Sequence, residues 1–341
     1  MPAFAPAFAP NVASTWPQRR YSYAAVLTLT AVGAAFPAAA WTLLGPPLAA
    51  GMVLLGVAHG SCDQLVLPAG PPRGARAGAG PHWLAFLAGY LGLAGLVGAL
   101  WWTWPAGAVG LFFLLTAWHW GSADAPVPRA AGGAWLAHSW LRGLLLFAVP
   151  AWGWPVGTAA VVNGLLAFAG APAVAAGPFA AGAAGLGLGV AAGHLALWAG
   201  YARQRRWAVL RTEGTEVLVL AGVLLALPPQ LSVGVYFVFW HSLQHALRLA
   251  GWLGYAPGPG PSAGPGPPLA FFLRRAAPLL LLSCAALLVL GRLLAPRLPD
   301  GAAWFSLALV VASLVTLPHA LLVTLAMDAS RWRARPGSSP A

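Results

Sequence analysis

Lysine is missing from this sequence: all 18 basic residues among 341 are arginine, acids number only six, and charged side chains make up 7% of the chain. Soluble domains carry about 25% charged residues, so a water-exposed globular surface is excluded. With 60% hydrophobic residues, in runs of Ala, Leu, Val and Gly, the chain reads as a polytopic membrane protein. No polar block between the apolar runs is large enough to fold as a separate unit, which leaves one helical bundle. The net charge of +12 does not imply nucleic acid. Arginine-only usage fits a GC-rich coding bias, and the arginines fall mainly in short connections, where they act as orientation signals. Two cysteines, Cys62 and Cys284, both lie in apolar stretches, which speaks against a disulfide framework and against a cysteine metal site.

Residues 1–17 lack the charged start and continuous apolar run of a cleavable signal peptide, so residues 1–21 are expected to form a disordered leader. At roughly 17 to 25 apolar residues per crossing, spans are expected at about 22–44 and 46–67, divided at Pro46-Pro47, then at about 82–101, 105–120, 134–150, 156–171 and 179–200. Further spans follow at about 214–230, 231–253, 272–295 and 303–327. Arg19, Arg20, Arg73, Arg76, the cluster from Arg203 to Arg211 and the tail with Arg331, Arg333 and Arg335 belong in the cytoplasm. Five segments between two cytoplasmic loops have the wrong parity, so one of them, 156–171 above all, is expected to be re-entrant, tilted within the bundle, or not a separate span at all. The fold class is all-α: a transmembrane bundle of roughly 8–11 spans over residues 22–328, with a flexible Pro/Gly loop at 256–268 and a basic tail at 329–341.

The stretch Tyr236–Arg248, YFVFWHSLQHALR, places His241 and His245 four residues apart in an apolar run. At helical period the two imidazoles share one face. Three more clusters break the apolar background: His59-Gly-Ser-Cys-Asp63, His119-Trp-Gly-Ser-Ala-Asp124 and Pro318-His319. On the orientation above, His59, His241, His245 and His319 lie roughly 12 to 18 Å from the cytoplasmic ends of their spans, at 1.5 Å per residue. His119 falls a turn or two shallower. Ionisable side chains are costly at membrane depth, and imidazole is a common transition-metal ligand. The set therefore points to a metal site within the bundle, of a ligand type that suits Fe, Cu or Zn. Asp63 and Asp124 are expected to fix imidazole tautomers from behind, and Gly60 and Gly121 to let backbones approach.

Plainer roles are assigned to other polar residues. His82, His138 and His194 read as interhelical hydrogen-bonding groups, Arg248 as a snorkelling or interface residue, and Glu213 and Glu216 as acids opening a helix at its positive end. Trp118, Trp120, Tyr236, Phe237 and Trp240, with Phe239, surround the histidines, either as lipid contacts or as walls of a pocket for a long apolar ligand.

The motifs GVAHGSCD (56–63), HWGSAD (119–124), the acid-bearing entry to the span ending at Pro228-Pro229, YFVFWHSLQH (236–245) and LPH (317–319) resemble the Brp/Blh family, bacteriorhodopsin-related membrane β-carotene 15,15′-dioxygenases. The resemblance covers residues 45–328. It implies an inner (plasma) membrane enzyme that uses O2 to cleave the central double bond of β-carotene into two molecules of retinal. It further implies Fe(2+) as cofactor, with His59, His119, His241 and His245 as catalytic metal ligands. His119 is followed by Trp120, where the family often has Phe. Against this stand a di-metal hydroxylase or desaturase, which needs more histidines, and a non-enzymatic carotenoid- or retinal-binding or proton-relay transport protein.

Overall fold

The computed structural model of the chain describes residues 16–66, 79–125, 133–256, 264–297 and 301–328. Residues 1–15 of the expected leader, most of the Pro/Gly loop and the basic tail lie outside these, as does the side chain of His82. Among the described residues every regular element is a helix. In chain order these are α1 (Trp16–Ala35), α2 (Pro37–Gly60), α3 (Ala79–Thr103), α4 (Pro105–Asp124), α5 (Gly133–Gly153), α6 (Pro155–Phe168), α7 (Ala176–Arg203) and α8 (Trp207–Ala226). They continue with α9 (229–252), α10 (Gly266–Leu294) and α11 (301–327).

The corners of the bundle are written in X-Pro pairs. Proline disfavours the helical region for its predecessor and is itself suited to a first helical position. Phe36 (φ −127°, ψ 62°), Trp104 (φ −149°, ψ 75°) and Trp154 (φ −131°, ψ 55°) are the non-helical residues before Pro37, Pro105 and Pro155. Pro228 does the same before Pro229. The break expected at Pro46-Pro47 is not there: both prolines lie inside α2, and the chain turns ten residues earlier. An internal proline forfeits one hydrogen bond, whereas ending a helix in lipid would strand several backbone groups. α1 likewise starts at Trp16, inside the segment expected to be leader.

Among the described residues, five helices are long and apolar enough to cross a membrane: Pro37–Gly60, Trp83–Thr103, Ala176–Arg203, Gly266–Leu294 and Ala303–Met327. The helices 135–153 and 155–168 qualify as one bent pair, with a 114° corner at Trp154. That corner turns α6 aside, at the segment whose parity was wrong as a straight crossing. α1, α4, α8 and α9 are apolar helices diluted by the polar residues they bury, and they pack among the others. The outer surface is apolar, with Trp102 90%, Val156 84% and Leu188 74% exposed, as a lipid-facing surface requires.

α4 and α5 touch through their backbones. A Cβ on Gly121 would collide with the Ser139 carbonyl, and one on Gly143 with the Ala117 carbonyl. Gly60 has no such role, since nothing lies within 4 Å of the Cβ it lacks.

Candidate metal centre

Wide turns set three of the five relevant histidines. A π-helical stretch at Met52–Val57 immediately precedes His59, another at Phe237–Ser242 contains His241, and a third at Val323–Met327 follows His319. Such turns are frequent at functional sites because the extra residue redirects the side chains around it. His245 stands one turn beyond His241, the two rings stacked at 6.0 Å with a 13° interplanar angle, as their spacing predicts.

All five imidazoles are buried, between 1% and 6% exposed. The ring of His59 lies 6.0 Å from His241, 5.1 Å from His245 and 5.0 Å from His319. The ring of His119 lies 5.1, 6.0 and 4.7 Å from the same three. His119 is therefore level with the others rather than shallower, because α4 runs on to Asp124 and holds it inside the helix. Four helices, α2, α4, α9 and α11, close one chamber, and each presents its histidine toward its C-terminal end.

The nitrogens show what the chamber can hold. His59 Nδ1 donates to the Leu55 carbonyl at 3.0 Å, one turn back in its own helix. His319 Nδ1 meets both Asp63 oxygens at 2.8 and 2.9 Å, and Tyr90 Oη donates to the same carboxylate at 3.0 Å. His241 Nδ1 lies 3.8 Å from Asp124 Oδ1, while Tyr236 Oη donates to Asp124 Oδ2 at 2.5 Å. Both aspartates thus face a histidine of another helix. Arg248 also reaches the chamber: its Nη2 lies 2.7 Å from His245 Nδ1, and its Nη1 lies 3.9 Å from Asp328 Oδ1.

The Nε2 atoms of His119, His241, His245 and His319 are buried without a hydrogen-bond partner, as are the Nδ1 atoms of His119 and His241. Buried polar atoms are normally satisfied, so a group of orphaned imidazole nitrogens facing one another marks a ligand site. His59, His119 and His319 each offer a nitrogen within 4.8 Å of the others, somewhat wider than the at most about 4 Å that separates donors each about 2 Å from one ion. The donor set is all nitrogen and closed off from bulk water, and it fits a divalent transition metal.

The aromatic neighbours divide. Trp120 lies 5.6 Å from the His241 ring, Phe237 stacks on it at 6.0 Å, and Tyr236 is 6.3 Å away. Trp240 points elsewhere, edge-on to Tyr23, and Trp118 packs against Trp135 and Trp140. A separate cavity of about 380 Å³, lined among others by Trp41, Gly164, Gln230, Phe305 and Ser306, sits at the opposite, N-terminal ends of α2, α9 and α11.

A second buried polar cluster adjoins the chamber. Glu216 is paired with both Arg19 and Arg142. Glu213 lies 2.6 Å from His138 Nε2, 3.6 Å from Arg142 and 3.9 Å from His194 Nε2. Both acids are 0% exposed, so they do not cap a helix; α8 begins at Trp207, which places them in its second and third turns. Arg19 links this cluster to the chamber by donating to the Asp124 main-chain carbonyl at 3.3 Å. His138 joins helices as expected, through Tyr201 Oη at 3.1 Å, and His194 Nδ1 donates to Val190 in its own helix.

Sequence reasoning missed Tyr90 and the role of Arg248. Only the second carried a signal, since residues three apart on a helix are neighbours. A family model for β-carotene 15,15′-dioxygenase matches residues 50–327. A probable β-carotene 15,15′-dioxygenase Blh of Halobacterium salinarum is 34% identical over 322 residues, covering 85% of this chain and 88% of the relative. No solved structure matches the chain. With its two His/Asp pairs inside the matched region, this chain belongs to the β-carotene 15,15′-dioxygenase family.

Proposed function

We propose that this protein cleaves the central 15,15′ double bond of β-carotene with O2, in the inner (plasma) membrane, at an iron held by the histidine chamber. The observation that carries the reading is the convergence of five buried imidazoles from four helices, with unpartnered nitrogens among them. Both oxygen atoms of O2 enter the two aldehydes, so the reaction draws on no outside electrons or protons.

His59, His119 and His241 would hold the ion, with a fourth imidazole from His245 or His319. Bound Fe(II) would supply a redox-active Lewis acid with open positions for O2. The chain does the rest. Asp63 accepts from His319 Nδ1 and fixes that ring, and Asp124, 3.8 Å from His241 Nδ1, adds a second negative charge that offsets the charge of the ion. Trp120, Tyr236 and Phe237 wall the chamber with apolar surface that excludes water. The substrate dissolves in lipid rather than water, so a site between helices is supplied sideways from the bilayer.

The test is expression in cells that accumulate β-carotene, together with metal analysis of the purified chain. The expected result is loss of colour, appearance of retinal and about one iron per chain, all abolished in His59→Ala. Unchanged carotenoid in cells holding well-expressed, iron-loaded protein would refute the activity.

A further inference from the structure

We infer that the cleft at the N-terminal ends of α2, α9 and α11 seats one terminal ring of the carotenoid while its central double bond lies at the histidines; this rests on the function proposed above. The same three helices build both places. α2 supplies Trp41 to the cleft and His59 to the chamber, α9 supplies Gln230 and His241, and α11 supplies Phe305, Ser306 and His319. The remaining wall is α6, which the 114° corner at Trp154 turns aside and which packs on α11. There Gly164 faces a hydroxyl: a Cβ on it would stand 3.2 Å from Ser306 Oγ.

A crevice joins cleft and chamber. Between Gln230 and Val238, the side chains of Leu231, Ser232, Val235, Tyr236 and Val238 are 0–1% exposed, whereas Gln230, Val233, Gly234 and Phe237 are partly exposed. Spaced by three, one and three residues, those four share one face of α9. That face ends at Phe237, whose ring stacks on His241 at 6.0 Å. α2 runs beside it: Leu48 lies against Gly234, and the Phe237 ring occupies the space that a side chain at Gly56 would need.

Length and volume both match one end of the substrate. At 1.5 Å per residue, α9 advances about 16 Å from Gln230 to His241, and α11 about 20 Å from Ser306 to His319. That is the reach of half a β-carotene molecule, from its central bond to its ring. Cavities that enclose a drug-sized ligand start at about 300 Å³, so a cleft of about 380 Å³ takes a ring but not a whole carotenoid. Trp41 and Phe305, 57% and 37% exposed, open the cleft to the lipid-facing surface, and the ring enters from the side. The seat also answers a chemical need. The conjugated double bonds of a polyene resemble one another, so selection of the central one comes from position, and a ring stopped at the cleft sets the register.

The experiment uses the full chain in detergent, with Gly164→Leu and Gln230→Phe filling the cleft from two different helices. Iron content and kcat/KM for β-carotene are measured. Binding is read separately, on the iron-loaded chain without O2, as the visible circular dichroism that the achiral polyene acquires in an asymmetric site. Both variants are expected to keep the wild-type iron, to lose about 100-fold in kcat/KM and to lose most of the induced signal. Both retain cleavage of an apocarotenal that carries a ring on one side only, since its short end leaves the cleft empty. If one variant fails to fold, the other decides. Wild-type kcat/KM and an unchanged induced signal in a variant that keeps its iron would overturn the seat and leave the cleft as packing space for lipid. Equal losses on β-carotene and the apocarotenal would overturn it too, because the substitution would then have disturbed the chamber itself. A wild type that binds the polyene without O2 but cleaves none with O2 would instead overturn the function proposed above, and the seat would stand or fall on the induced signal alone.

Discussion

Asp124 serves three partners at once: the Tyr236 hydroxyl, the His241 ring and, through its main-chain carbonyl, Arg19. A carboxylate so held keeps a negative charge 3.8 Å from the His241 ring, and an amide in its place keeps the shape while losing the charge. Asp124→Asn is expected to weaken metal binding about 10–100-fold with little change in folding, as measured by competition with a chelator. The residues of the chamber are legible in the sequence because titratable groups are scarce in an apolar chain, so each His/Asp cluster stands out. Tyr90 is not legible, since one tyrosine in an apolar helix carries no spacing signal. Glu213 and Glu216 are visible but misread: a start at residue 214 puts them at a helix end, whereas the helix beginning at Trp207 buries them against Arg19, Arg142 and His138.

The contact between α4 and α5 is the tightest joint between elements. Gly143 faces the Ala117 carbonyl two residues before His119, and Gly121 faces Ser139 two residues after it. Gly143→Ala would therefore force the helices apart at the level of the chamber. Overpacking of this kind costs about 1–3 kcal/mol, so the expected result is a lowered midpoint of thermal unfolding in detergent, together with reduced iron content as His119 is displaced. Element ends are legible wherever proline follows an aromatic residue, at Phe36, Trp104 and Trp154. They are not legible at Pro46-Pro47, because the local bias of proline against helix is outweighed in lipid by the need to keep backbone groups bonded. Gly121 is correctly anticipated as a place of close approach and Gly60 is not, since a glycine codes for proximity only when another backbone arrives.

At the scale of the whole molecule, the cluster around Glu216 joins the first helix to the middle of the chain. Two arginines and two glutamates balance one another across α1, α5 and α8, and His194 brings in α7. Removing one member leaves an uncompensated charge in a dry interior, at about 3–5 kcal/mol. Glu216→Ala is expected to lower the unfolding temperature well below that of Glu216→Gln, and to release α1 to proteolysis; equal stability of the two variants would show the pairs to be energetically idle. The bundle architecture is legible from hydropathy alone, whereas this cluster is not, because its members are spread from residue 19 to residue 216 and meet only after packing. The wide turns beside His59, around His241 and after His319 have a like reach. Each holds one residue more than a regular turn needs, so deleting any one residue between Met52 and Val57 would wind that segment into an ordinary helix and swing His59 and Asp63 by about 100° relative to what precedes them. The chamber is thus sensitive to how many residues stand in these segments and far less to which ones, a form of constraint that substitution scanning would pass over and single-codon deletions would expose.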